Sequence, residues 1–215
     1  MRRPILATIT VLLLAGLAAA WWKSLPPPPV TIVPAEVSRG NGVLTYPKIS
    51  GTRTMGDAMT QTIATEIDRF AQVFAQPDIS GKVTYQVEFN QKGLLSVTLQ
   101  EMYYQHRAAH PMTYLRAFTF STQAGRVLRL EDLFRPGSDF RSVLDQHMKR
   151  QLAERDVPLL TPFTGVQDGQ EFYLTADGLV LYYQLYEFTP YVWGFLRFTV
   201  PYGDLADLLR PEYRP

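Results

Sequence analysis

Between Met55 and Phe74 the apolar residues recur every third or fourth position, and from Val83 onward every second. A chain that changes period in this way must form an amphipathic helix and then half-buried strands, all turning their apolar sides to a shared interior. Met55, Met59, Ile63, Ile67, Phe70 and Phe74 make one stripe along the helix, and Thr54 with Asp57 fits a capping box at its start. A second helix is predicted from about Ser138 to Glu154, with Phe140, Val143, Leu144, Met148 and Leu152 on one face. A short third one, Asp204 to Leu209, precedes the end of the chain.

Strand patterns fill the intervals. Val83, Tyr85, Val87 and Phe89 alternate with Thr84, Gln86 and Glu88, and "NQKG" turns the chain into the long strand "LLSVTLQEMYYQ". "TYLRAFTFS" and "RVLRL" are predicted to pair across "TQAG", and "EFYLT" and "LVLYYQ" across Ala176-Asp177-Gly178. An Asp-Gly pair between apolar alternations is a strong local hairpin signal. Hairpins interrupted by separated helices predict an α+β fold, antiparallel sheets built from hairpins with two main amphipathic helices packed on one face.

The N-terminus has a different character. Arg2 and Arg3 precede an apolar run from Ile5 to Ala20, and Ala18-Ala19-Ala20 offers a small-x-small cleavage pattern. Pro4 to Trp22 is also just long enough to span a bilayer, with Trp21, Trp22 and Lys23 suited to its interface. Residues 1–22 therefore read as a signal peptide or an N-terminal membrane anchor, and either reading exports the remainder. Residues 23–30 form a proline-rich spacer. Beyond it no second linker is evident, and the folded part reads as a first α+β subdomain at 31–112 and a second at 113–215.

Without residues 1–20 the chain carries 19 basic against 20 acidic residues, so no bulk attraction to nucleic acid is expected. Any membrane association is assigned to the N-terminal segment alone. Cysteine is absent, which excludes disulfides, cysteine nucleophiles and thiolate metal sites.

Several phrases then stand in a telling order: "LTYPKISG" (44–51), "RAAHP" (107–111), "TQAGRVLRLEDLF" (122–134), and "FYLTADGLVLYYQLYEFTPYVWG" (172–194) followed by "FTVPYGDL". Together they resemble, over roughly residues 35–210, the paired extracytoplasmic domains of the lysozyme-sensing anti-sigma factor RsiV and of PdaC-type peptidoglycan deacetylases. The resemblance implies an α+β fold outside the cytoplasm. In the deacetylases these domains accompany a separate catalytic domain; in the anti-sigma factor they are the outer receptor for lysozyme. Only Met1 to about Pro4 would lie inside here, too little to hold a sigma factor, so the expectation is the sensor or wall-binding part standing alone. Arg107 and Ala108 occupy positions where that family has two glycines, while Ala109 and His110 match it.

His106 and His110, with Pro111 after the second, share the spacing of a zinc-binding pair in polysaccharide deacetylases. A hydrolytic zinc site needs about three protein ligands and a nearby base. The chain contains no Asp-Asp pair, and its one further histidine, His147, sits beside Val143 and Leu144 as a core-edge residue. No metal or other cofactor is expected, and His110 is read as structural or ligand-facing. Glu101, Glu131 and Asp132 could pair for glycoside hydrolysis, but carboxylates on strands and strand ends are read as solvated. No nucleophile elbow or phosphate-binding glycine loop is present. The chain is accordingly read as non-catalytic.

The segment "YEFTPYVWG" concentrates aromatic residues between two apolar strands, suited to a protein hot spot or to stacking on sugars. Some of these rings are equally expected to plug the end of a sheet. The candidate ligand-binding residues are His110, Tyr186, Glu187, Tyr191 and Trp193, with Glu187 either meeting a basic group or bonding its own loop. The function expected is recognition of a cell-wall-related ligand, a lysozyme-like protein first. The alternatives are a peptidoglycan-binding module assisting a wall enzyme, and a zinc-dependent hydrolase.

Overall fold

The computed structural model describes residues 27–50 and 53–214, with the side chains of Arg53 and Thr54 left undescribed. The leader and the Thr54 capping box lie outside the described residues. No described helix is long and apolar enough to cross a membrane.

The protein is a mixed α+β structure with a six-stranded and a three-stranded sheet. The first sheet runs in chain order: β1 (Thr31–Arg39), β2 (Asn41–Ser50), β3 (Ile79–Gln91), β4 (Leu94–Gln105), β5 (Met112–Ser121) and the two-residue β6 (Arg126–Val127). Helix α1 (Arg53–Ala71) follows β2, and a 3-10 turn at Gln72–Ala75 extends it. Because this helix carries the chain back across the sheet, β3 joins β2 in parallel over Asn41–Leu44 and Ser80–Val83; every other pairing is antiparallel. Gly40 makes the β1–β2 turn at φ +51°, where a Cβ would stand 2.4 Å from the Phe74 carbonyl oxygen.

Helix α2 (Phe140–Glu154) precedes the second sheet, which is formed by β7 (Phe172–Leu174), β8 (Gly178–Tyr183) and β9 (Leu196–Pro201). The short helix α3 (Tyr202–Leu205) follows, ending earlier than the Leu209 expected. "RVLRL" pairs only through β6, because Leu130–Leu133 coils into a 3-10 turn that buries Leu133 and Phe134.

Burial shows four layers. Met59, Ile63, Ile67 and Phe70 of α1 pack on Leu95, Val97, Leu99 and Phe120 from one face of the first sheet. The opposite face meets the second sheet, where Leu115 packs with Tyr173, Val180 and Tyr182. The far side of the second sheet, with Leu179, Leu181, Tyr183 and Phe198, is covered by Leu144, Met148 and Leu152 of α2. Each main helix thus lies on the outer side of its own sheet. Strand β8 is buried at all six positions because it is central in its sheet and covered on both faces.

Three expected core positions differ, one of them Val87, which is 43% exposed. Met55 is 41% exposed, since the first turn of α1 reaches past the strands to the turn at Gly125. Phe89 leaves the face shared by Val83 and Tyr85, because Glu88 is an extra residue between the pairs Val87↔Val97 and Phe89↔Ser96. This bulge reverses the alternation and sends Phe89 into the core of the second sheet.

The junction of the sheets is hydroxyl-rich. Ser96 Oγ lies 2.7 Å from Thr119 Oγ1 and accepts the Leu174 N–H at 3.0 Å, so an edge of β7 is satisfied by a side chain of β4. Ser96→Ala is expected to leave that buried N–H without a partner and to cost about 1–2 kcal/mol, measured by urea unfolding.

Candidate functional site

Strands β4 and β5 are antiparallel neighbours joined by residues 106–111, and β8 leads into residues 184–195 before β9 returns. Both connections meet. His110 Nδ1 lies 3.0 Å from the Pro111 carbonyl oxygen, which can only accept, so Nδ1 donates; Nε2 lies 3.1 Å from the Tyr186 hydroxyl, within hydrogen-bond distance. The His110 ring stacks on Tyr191 at 4.3 Å between centroids, and the Tyr191 hydroxyl donates to the same Pro111 oxygen at 3.3 Å. Tyr186 and Tyr191 lie 5.6 Å apart, completing a three-ring cluster.

Not every aromatic residue of the loop faces outward. Phe188 is buried against Tyr183 and Phe163, the plug anticipated for the sheet end. Tyr186 is 47% exposed, Trp193 38% and Val192 87%. Leu160, 53% exposed, adjoins them through its N–H to the Phe188 carbonyl. The Glu187 carboxylate accepts the Gln184 N–H at 2.8 Å, bonding its own loop.

Both loops hold a non-glycine residue in the left-handed region, Arg107 at φ +71° and Tyr186 at φ +66°. Such a conformation costs on the order of 1–3 kcal/mol and persists only where the surroundings enforce it. Arg107 thus takes, as an arginine, a backbone shape that glycine adopts freely. Tyr186 is held in place by its bond to His110.

His106 and His110 do not share partners. His106 is exposed in a cleft with Asn41, Asp78 and Tyr104, away from the ring cluster. His147 is buried, with Nε2 3.4 Å from Asp204 Oδ2 and Nδ1 2.7 Å from an Arg150 nitrogen. Among the described residues no group of three or more histidine, aspartate or glutamate side chains is arranged around a common metal position. Glu131 bonds Arg141, and Asp132 bonds Arg126 and the Arg129 N–H, as parts of the turn after β6.

Glu101 is not the solvated strand carboxylate expected. It is fully buried, because the alternation Leu95, Val97, Leu99 continues to it and turns it toward α1. Arg69 Nη2 donates to its Oε2 at 3.2 Å, Arg116 Nε stands 3.8 Å from the same oxygen, and Oε1 has no partner. Burial, and then the adjacent Glu66 charge, push the Glu101 pKa up to about 8. Burial also opposes ionisation of Glu66, but its hydrogen bond from Arg69 and the two nearby guanidinium charges outweigh this and hold its pKa below the usual range.

From this buried pair a polar chain leads to the loops. Arg116 Nη1 donates to Glu171 Oε1 at 3.4 Å, and Glu171 Oε2 accepts from Gln184 Nε2 at 2.9 Å. The Gln184 amide also brackets Leu115, accepting its N–H at 3.1 Å and donating to its carbonyl at 2.7 Å. Gln184 thereby pairs with an otherwise open stretch of β5 as a further strand would. Sequence reasoning missed Gln184, Glu171 and Arg116. Only Glu101 left a signal, a carboxylate at a core-facing step of an apolar alternation.

Two solved structures resemble the whole arrangement. One is a DUF3298 family protein from Pseudomonas aeruginosa PAO1, 17% identical with a TM-score of 0.60, the match covering 88% of this chain and 97% of that one. The other is a member of the same family from Bacteroides fragilis, also 17% identical, with a TM-score of 0.58 and coverage of 85% and 93%. At such identity the likeness establishes the shared fold. No curated protein matches the chain. In sequence, residues 131–203, which span α2 and the second sheet, match the family described as protein of unknown function DUF3298.

Proposed function

We propose that this chain is an exported, non-catalytic recognition domain that binds a lysozyme-like protein through the surface built by residues 104–112 and 186–194. The observation that carries this reading is the locking of the two loops, through His110, Tyr186 and Tyr191, beneath an outward rim of Tyr186, Val192 and Trp193. A valine 87% exposed adds little to the protein's own core, and Tyr186 is held in the left-handed region at a cost that its contacts with His110 and Tyr191 offset. Clustered aromatic residues on a pre-ordered loop suit a protein interface, where a few such side chains supply most of the binding energy. The likeness of the phrases at 107–111 and 172–194 to a lysozyme receptor supports the choice of partner.

Calorimetric titration of the full chain with a lysozyme tests the reading, with soluble muropeptides as the parallel ligand. Saturable binding to lysozyme that muropeptides do not compete is expected. Tyr191→Ala and Trp193→Ala should each weaken it by about tenfold or more. Heat from muropeptide alone would make the chain a wall-binding module instead, and no heat with lysozyme would end the present reading.

A further inference from the structure

A cleft of about 540 Å³ opens where the C-terminal half of α1 meets β4 and β5, and its lining includes Arg69, Gln76, Tyr103, Gln105, Tyr114 and Arg116. Of its lining only Gln105 falls within the loop surface, and none of the three clustered rings takes part. Tyr103 and Tyr114 stack at 6.4 Å and form a flat wall with polar tips. Arg69 commits Nε and Nη2 to Glu66 and Glu101, and Arg116 bonds Glu171 through Nη1. Nη1 of Arg69 and Nη2 of Arg116 have no partner among the described hydrogen bonds. Arg116 Nε makes no aligned hydrogen bond but stands 3.3 Å from Glu66 Oε1, so the inner side of the network is closed on itself. The two uncommitted guanidinium nitrogens, on residues that line the cleft, are donors that a ligand can complete.

The charges narrow the ligand's class. Arg69 and Arg116 are answered by Glu66 and Glu171, while Glu101 is held largely neutral below about pH 8. A nearly balanced cleft with two unspent guanidinium nitrogens suits one carboxylate on an otherwise uncharged body better than a phosphate. Stacked tyrosines favour a ring, and the side-chain amides of Gln76 and Gln105 provide donors and acceptors for hydroxyl groups. The volume falls within the range of small-molecule sites.

We propose that this cleft binds a sugar bearing a carboxylate, the carboxylate bridging Arg69 and Arg116 and the ring lying along Tyr103 and Tyr114. Two sources share that chemistry, a uronic acid and a sugar carrying a carboxylate on an ether arm. The test titrates the nitrogen-15-labelled full chain with glucuronic acid and with N-acetylmuramic acid, reading the arginine Nε–H resonances. Glucose and N-acetylglucosamine serve as carboxylate-free controls. Saturable shifts at Arg69 and Arg116 are expected with one or both acids, at least about tenfold tighter than with the controls. The preferred acid identifies the source. Arg69→Gln, at a half-exposed side chain, should lower affinity for the acids about tenfold but leave the controls unchanged. Tyr103→Leu, which keeps apolar bulk without the ring, should weaken every sugar. Equal binding of acids and controls, no saturation below about 50 mM, or indifference to Arg69→Gln would overturn the proposal and leave a purely structural ion network. Lysozyme binding by the loops is unaffected by any of these outcomes.

Discussion

Glu101→Gln is expected to abolish most of the fall in stability that the wild-type protein shows between about pH 5 and pH 8. In the folded protein Glu101 keeps its proton until about pH 8, whereas in the unfolded chain it releases it near the ordinary 4.5. Over that interval the folded state binds more protons, so stability falls as pH rises. The contribution is fully present below pH 4.5 and is lost once pH passes about 8. Each unit between the two values corresponds to about 1.4 kcal/mol, giving a fall on the order of 2–4 kcal/mol across the window. The groups facing Glu101 are Glu66 and Arg69 from α1 and Arg116 and Tyr114 from β5, while Val83 opposite it on β3 is uncharged. Glu66 has the opposite sign: its pKa is lowered, so its contribution disappears only as pH falls below 4.5, outside the window. Glutamine keeps the shape and the bond from Arg69 but cannot ionise. Urea unfolding at pH 5, 6.5 and 8 compares the two proteins, and parallel pH profiles would show that Glu101 does not carry the effect.

Gln184→Ala comes next in size. The substitution leaves the Leu115 N–H without its partner, removes one donor from the Leu115 carbonyl and another from Glu171, and does so at the seam between the sheets. A buried backbone group without a partner costs about 1–3 kcal/mol, so a loss of about 2–4 kcal/mol is expected in all. The change should also reach the loop surface, since Gln184 opens the turn that presents Tyr186. Lower fluorescence anisotropy at Trp193 in the folded variant would register that loosening. A stability change below about 0.5 kcal/mol would mean that water fully replaces the amide.

The period change at the start of β3 made the α+β class legible, because helix stripes and strand alternation are local consequences of side-chain direction. The Asp177-Gly178 hairpin and the two main helices were legible for the same reason. The parallel pairing of β2 with β3 was not, since it depends on where α1 returns the chain. Phe89 was misassigned to a face because one extra residue, Glu88, inverts every later position. At the candidate site the loops could be named from their aromatic content, but their meeting rests on a bond between residues 76 positions apart. Gln184 looked like a polar residue at a strand end; only the open backbone of β5 beside it gives that amide its role.

The hydroxyl-bearing seam also bears on how the chain becomes a protein. Synthesis delivers β1 to β6 before α2 and the second sheet exist, and domains begin to organise from the N-terminus. For that interval the face of β4 and β5 awaiting its cover presents Ser96, Thr98, Thr119 and Ser121 between Leu94 and Leu115, rather than a continuous apolar surface. Water can wet such a face, and the same hydroxyls later exchange water for Leu174 and for one another. A half-made molecule therefore offers its neighbours apolar patches at Phe89, Leu94 and Leu115 broken by hydroxyls, instead of one unbroken apolar sheet. The polar character of the seam lowers the risk of aggregation during assembly, at some expense to the dryness of the finished interior.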